Sequence, residues 1–278
     1  MLLNILDFKQ YNNIIFCGDI HGLYNLKDIS KNYINEIKDS LIIFCGDIGF
    51  GFNTPVIEKN ILNDCNEIIK QKNIHYILFR GNHDNPKIFI KDSEYNLSNI
   101  TIIPDYTILN TMTYNILCIG GGISIDRIHR IPNISYWEDE IIPPLNDILK
   151  DELKTLSYNI DIICTHNAPT YIKPVNNDLN DAGPIVESWS IYDKELKTDV
   201  WNDRYVLNEL HEFLKTCHDI KYWIYGHFHD HFYTEYENIK FIGLNMYYLY
   251  AKTKKYSKGK TYIIKGPDLL NIDNVNIN

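Results

Sequence analysis

Short apolar runs recur along the chain, separated by longer stretches in which apolar positions return every third or fourth residue. The first pattern predicts buried strands and the second predicts amphipathic helices. The run IIFCGDI occurs twice, at 14–20 and again at 42–48. Between the copies, Leu26, Ile29, Tyr33 and Ile37 share one helical face. A second helix is predicted to start with Thr54 as N-cap and Pro55 at its first position, carrying Ile57, Ile61, Cys65, Ile68 and Ile69 inward. HYILF follows as a third strand. Helices between successive strands imply parallel pairing with right-handed crossovers, which sets the C-terminal strand ends along one rim of a sheet. The repeated heptad then reads as two parallel strands, each delivering one carboxylate, Asp19 or Asp47, to that rim.

Later runs repeat the theme. YNILCIGG, IDIICTH and KYWIYGH are apolar and end in glycine or histidine. A helix carrying Leu145, Ile148, Leu149, Leu153 and Leu156 precedes the second of these, and one carrying Leu207, Leu210, Phe213 and Leu214 precedes the third. KFIGLN and TYIIKG read as closing strands. The stretch 171–201, rich in Asn, Asp, Pro and Gly, is expected to be an active-site loop insertion or a mobile segment within one domain spanning 1–278.

Composition changes this picture little. With 45% apolar and 23% charged residues the chain is that of an ordinary globular protein. A net charge of −9 argues against a broad basic face for long nucleic acid. The five lysines of AKTKKYSKGK are read as a solvated surface. No apolar run approaches the ~18 residues of a membrane span. MLLNILDFKQ lacks a basic start and is interrupted by Asp7, so the expectation is no signal peptide and a cytoplasmic protein. The six cysteines form no C-x-x-C pair, and four sit in apolar runs, which predicts reduced core thiols rather than metal ligands.

The chemistry lies just past the strands. Asp19 and His21 stand in GDIHG, Asp47 in GDIGFG, Asn82, His83 and Asp84 in RGNHD, His166 in THNAP, and His227 and His229 in GHFH. Any one of these could be a turn residue. Turn chemistry gives no reason to set a histidine or carboxylate after every core strand, so together they imply a metal centre. Imidazole and carboxylate donors without thiolate suit Mn, Fe, Zn or Ni. Seven of these acting as ligands exceed what one such ion takes, so two ions sharing a bridge fit better. A pair about 3.5 to 4 Å apart can activate a bridging water and clamp a phosphoryl oxygen. Hydrolysis of a phosphoester is the reaction predicted.

These motifs, in this order, resemble the calcineurin-like metallophosphoesterase family, whose pattern runs D-x-H, GD, GNH[DE], H and GHxH. The resemblance extends from Asp19 to His229. It implies a four-layer α/β/β/α sandwich with two mixed sheets and a di-metal site at the strand C-terminal rim. It also implies roles: Asp19, His21 and His229 on the first metal, Asn82, His166 and His227 on the second, and Asp47 bridging. His83 is the implied general acid. Mn²⁺ is expected to support activity, with Fe, Zn or Ni as alternatives.

GDIHG and FRGNHD are similar to the Ser/Thr protein phosphatase branch, where the arginine matching Arg80 contacts phosphate. That branch continues its second GD motif with Asp and Arg, whereas Phe50 and Gly51 stand here. The segment 120–140, GGGISIDRIHRIPNISYWEDE, is closer to a branch of small bacterial and phage enzymes. It makes Arg127 and Arg130 candidates for phosphate binding, with ion pairs to the acidic WEDE run as the structural alternative. Tyr136 and Trp137 could stack on a base or serve as core. The expected activity is hydrolysis of a phosphomonoester or phosphodiester, a small nucleotide-like substrate being favoured. A phosphoprotein phosphatase and a scaffold without chemistry are the alternatives.

Overall fold

Alternation of inward and outward side chains decides how the strands layer. The computed structural model describes residues 2–11, 13–172, 183–246 and 269–271. The repeated heptad gives β2 (Asn13–Cys17) and β3 (Ser40–Phe44), joined through α1 (Leu23–Asn32). The second helix is α2 (Pro55–Lys70), with Thr54 as N-cap and Pro55 in its first turn, and it leads into β4 (Ile74–Leu78) and then β5 (Ile100–Ile102). β2, β3, β4 and β5 pair in parallel, and β12 (Leu269–Asn271) adds antiparallel to β2.

A second sheet holds seven strands. In spatial order they are β1 (Asn4–Asp7), β6 (Thr107–Asn110), β7 (Asn115–Ile119), β8 (Ile162–Thr165), β9 (Tyr222–Tyr225), β11 (Ile239–Gly243) and β10 (Phe232–Tyr236). The β6–β7 and β10–β11 pairs are antiparallel and the others parallel, so both sheets are mixed, as expected.

Ile14, Phe16, Leu41, Ile43 and Ile77 point from the first sheet into a core shared with Leu109, Ile116, Ile162, Cys164 and Ile224 of the second. The opposite faces are covered by helices. Ile15, Ile42, Phe44 and Tyr76 pack under α1 and α2. Leu117, Ile163, Trp223 and Phe241 pack with Leu149 and Leu153 of α3 (Asp147–Lys154) and Leu207, Leu210 and Leu214 of α5 (Leu196–Leu214). The result is the expected four-layer sandwich.

Some boundaries differ from the sequence reading. α1 ends at Asn32, so Tyr33 and Ile37 pack from beyond its end. In α2, Ile57 faces out while Glu58 turns in, because its carboxylate accepts the backbone N–H groups of Gly51 and Asn53 at 2.8 and 3.3 Å. Within 171–201, α4 (Gly183–Trp189) and the first turns of α5 are helical, and residues 173–182 lie outside the described set. TYIIKG and the lysine cluster also lie outside it. All six cysteines are free, and five are buried. No described helix is long and apolar enough to cross a membrane.

Candidate metal centre

Loops leaving the C-terminal ends of β2, β3 and β4 meet loops leaving β8 and β9, and the meeting point is built from the residues singled out above. Asp19, His21, Asp47 and His229 form one group, their ligand atoms within 4.8 Å of one another. His21 Nε2 lies 2.8 Å from His229 Nε2, and His229 Nε2 lies 3.1 Å from Asp19 Oδ2. A second group adjoins it: His166 Nε2 stands 2.9 Å from Asn82 Oδ1, 3.2 Å from His227 Nδ1 and 3.4 Å from Asp47 Oδ1. Asp47 belongs to both. Its Oδ1 faces His166, while its Oδ2 is 3.7 Å from His21 Nδ1.

Local backbone conformation sets these side chains. His21, Asp47, His227 and His229 all have positive φ, between 47° and 68°. Left-handed backbone is uncommon in non-glycine residues, and its cost of about 1 kcal/mol or more persists where the surroundings over-determine it, as at functional sites. Glycines allow the loops to close in. A Cβ on Gly81 would lie 2.1 Å from Asp47 Oδ1, and one on Gly226 would lie 2.2 Å from Asp19 Oδ1.

Hydrogen bonds orient the ligands. His227 N donates to Asp19 Oδ1 at 2.9 Å, and His83 N donates to Asp47 Oδ1 at 2.8 Å. His166 Nδ1 donates to the Cys45 carbonyl at 2.8 Å, which turns Nε2 toward the site, where a bound cation would take its lone pair. Asp84 ties the frame together by accepting from the backbone N–H groups of Ile48, Gly49, Phe50 and Gly81 at 2.7 to 3.0 Å. Burial and the nearby Asp47 charge push its carboxyl up to about 6, against the donors of Gly81, Phe50 and Ile48.

The electrostatics call for a cation. Asp19 and Asp47 are fully buried, and among the described residues neither meets a lysine or arginine. Burial pushes both carboxyls up, yet the facing histidines hold both below the usual carboxylate range. Burial and the neighbouring His166 push His227 down to about 3, so it keeps a lone pair for coordination. Bound cations would take the place of the imidazole protons, and two buried carboxylates with the facing imidazoles then form a donor set that fits divalent transition ions.

The candidate substrate residues divide. His83 lies at the mouth, its Nε2 4.0 Å from Asp47 Oδ2 and its ring 5.4 Å from that of His21. Burial, and then the adjacent Arg130, lower its pKa despite the Asp47 charge. Arg130 reaches this point too, with Nη2 3.4 Å from His83 Nε2. Asp126 grips it by Nε and Nη2 at 2.6 and 2.9 Å, and the Ser135 carbonyl takes Nη1 at 3.1 Å.

Arg80 and Arg127 do not join them. Arg80 is buried, bonding Asp105 Oδ2 and the carbonyls of Asp139, Glu140 and Ile141 at 2.8 to 3.2 Å. It braces the 139–141 turn, which corrects the expectation that it contacts phosphate. Arg127 pairs with Asp193 and Asp199 at 2.6 Å each, fastening its loop to the α5 region rather than to the WEDE run. Trp137 is core, packed edge-on against Phe52. The sequence reading gave no role to Asp126, although its i, i+4 spacing to Arg130 was a usable signal.

The calcineurin-like phosphoesterase family model matches residues 13–231. The chain therefore belongs to that family, whose members are phosphoric ester hydrolases that use a pair of divalent metal ions. No curated protein matches the sequence. Among solved structures, a candidate 5'-nucleotidase from Staphylococcus aureus, in complex with alpha-ketoglutarate, aligns with TM-score 0.43 and 15% identity over 84% of this chain and 49% of its own. The chain thus spans about half the length of that protein. The phosphopantetheinyl hydrolase of Mycobacterium tuberculosis aligns with TM-score 0.42 and 14% identity, over 90% of this chain and 95% of its own.

Proposed function

We propose that the chain hydrolyses a small phosphorylated substrate, nucleotide-like compounds included, at a site holding two divalent ions. Asp47 carries this reading, since its two carboxylate oxygens face two separate sets of donors. Asp19, His21 and His229 would hold one ion and Asn82, His166 and His227 the other, with Asp47 between them. Mn²⁺ is the ion to supply first. When bound, such a pair activates a water and polarises the phosphoryl oxygens.

The chain's own groups do the rest. His83, beside Asp47 and Arg130, either protonates the leaving oxygen or steadies the transition state, and its lowered pKa favours the second role. Arg130, oriented by Asp126, offers the N–H groups not used by Asp126 and Ser135 to the phosphate. The phosphoprotein reading loses the arginine that prompted it, because Arg80 is committed to the 139–141 turn.

Initial rates on p-nitrophenyl phosphate and bis-p-nitrophenyl phosphate in Mn²⁺, for wild type and Asp47→Asn, test the proposal. Wild-type turnover that Asp47→Asn abolishes is expected, and the preferred ester separates monoesterase from diesterase. Two equally inactive proteins that also take up no Mn²⁺ would sink the reading.

A further inference from the structure

An asparagine can ligate a metal only through its amide oxygen, and the amide presents –NH₂ instead when it turns by half a rotation. What fixes the Asn82 amide is therefore as important as Asn82 itself. Asn82 Nδ2 donates to Ser124 Oγ at 3.0 Å, and that bond turns Oδ1 toward His166 Nε2. Ser124 Oγ in turn donates to Glu140 Oε2 at 2.7 Å, and Ser124 N donates to Glu140 Oε1 at 2.6 Å. Asn82, Ser124 and Glu140 are all buried, so water does not compete for these bonds.

The direction of this chain follows from chemistry. A charged Glu140 only accepts, so it takes the single hydroxyl proton of Ser124. Ser124 Oγ is left with lone pairs and can face only a donor, which is Nδ2 of Asn82. The backbone of Glu140 is itself pinned, its carbonyl accepting from Arg80 Nη1 at 2.8 Å and Gly122 N at 3.0 Å. Arg80, two residues before Asn82, thus supports the same amide from behind.

We propose that Ser124 and Glu140 are positioning residues that fix the Asn82 amide with its oxygen toward the second ion. This rests on the two-ion reading above. Loss of partners behind a ligand weakens metal binding by about 10- to 100-fold. The loss falls on one ion of the two, because Asn82 adjoins only the His166 and His227 group.

Equilibrium dialysis against Mn²⁺ with metal analysis tests this, at about pH 8.5 under nitrogen, since burial pushes Glu140 up to about 8. Wild type is expected to hold two ions per chain. Ser124→Ala should hold one at the same free Mn²⁺, with the second binding about 10- to 100-fold more weakly. Glu140→Gln should behave alike, because its amide can donate to Ser124 and release the hydroxyl proton toward a turned Asn82. Ser124→Thr, which keeps the hydroxyl, should restore two. Thermal melting confirms folding, and if Glu140→Gln fails to fold, Ser124→Ala and Ser124→Thr decide. Two ions bound at wild-type affinity by Ser124→Ala overturn the proposal, as does equal weakening of both ions. Wild type that binds no pair of ions overturns the two-ion reading as well, which keeps the two failures distinct.

Discussion

At the scale of single residues, short donors and long arginines reach the site for different reasons. Aspartate, asparagine and histidine after successive core strands announce a metal site by chemical type alone, and the structure gathers all seven in two groups that share Asp47. Arginine does not announce its role, since a long side chain goes where its loop sends it. Of the three arginines nominated from sequence, one braces a turn, one staples a loop and only Arg130 reaches His83. Arg130→Ala should therefore lower kcat/KM for a phosphoester by about 10- to 100-fold, the worth of a hydrogen bond between charged groups, with Mn²⁺ content unchanged. Arg127→Ala should leave kcat/KM near wild type while lowering the melting temperature, because its pairs with Asp193 and Asp199 are structural. Steady-state kinetics and thermal melts on both variants decide, and a loss of activity in Arg127→Ala alone would reverse the assignment.

At the scale of elements, fully buried strands were the easiest to read, because β2, β3, β4, β8 and β9 are apolar runs closed by glycine or histidine. β1 and β6 escaped notice, being four residues each and carrying polar Asn and Thr positions. The start of α5 was hidden because its polarity is inverted, with Asp203 and Arg204 buried while Trp201 and Tyr205 face out. β4 also carries a polar surprise: His75 is buried against Phe8 and Tyr11, with Nε2 2.8 Å from Thr101 Oγ1. Burial pushes this imidazole down to about 4 from an ordinary value near 6.5. Between those values the unfolded chain binds the proton and the folded chain does not, so stability falls as pH falls through about 6.5. His75 alone should remove about 2 kcal/mol between about pH 7.5 and about pH 5. His75→Gln can still bond Thr101 but takes no proton, so its stability should drop less over that range. Urea denaturation of both proteins at the two pH values reads the difference, and identical pH slopes would show that His75 does not titrate as its burial dictates.

At the scale of the whole molecule, the site is a seam. Asp19, Asp47 and Asn82 come from loops of the five-stranded sheet, and His166, His227 and His229 from loops of the seven-stranded one. A layered sandwich is held across its middle by apolar side chains, but at this rim the two sheets face each other through carboxylates and imidazoles. Two bound ions would join the sheets there, so removing them should loosen both at once. An ion at about 100 times its dissociation constant adds about 2.7 kcal/mol of stability. For a chain of this size each kcal/mol moves the melting midpoint by about 2 °C, so chelation should lower it by about 5 °C per ion. Hydrogen exchange gives the more pointed result. In the stripped protein, peptides covering 18–22 and 45–51 from one sheet and 164–168 and 225–230 from the other should lose protection together, and Mn²⁺ should restore all four. Helix α2 beyond its first turn, where Glu58 holds Gly51, should not change. Loss of protection in the loops of one sheet only would mean that the ions do not bridge the layers, and the pairing of Asp47 with ligands from both sheets would have to be redrawn.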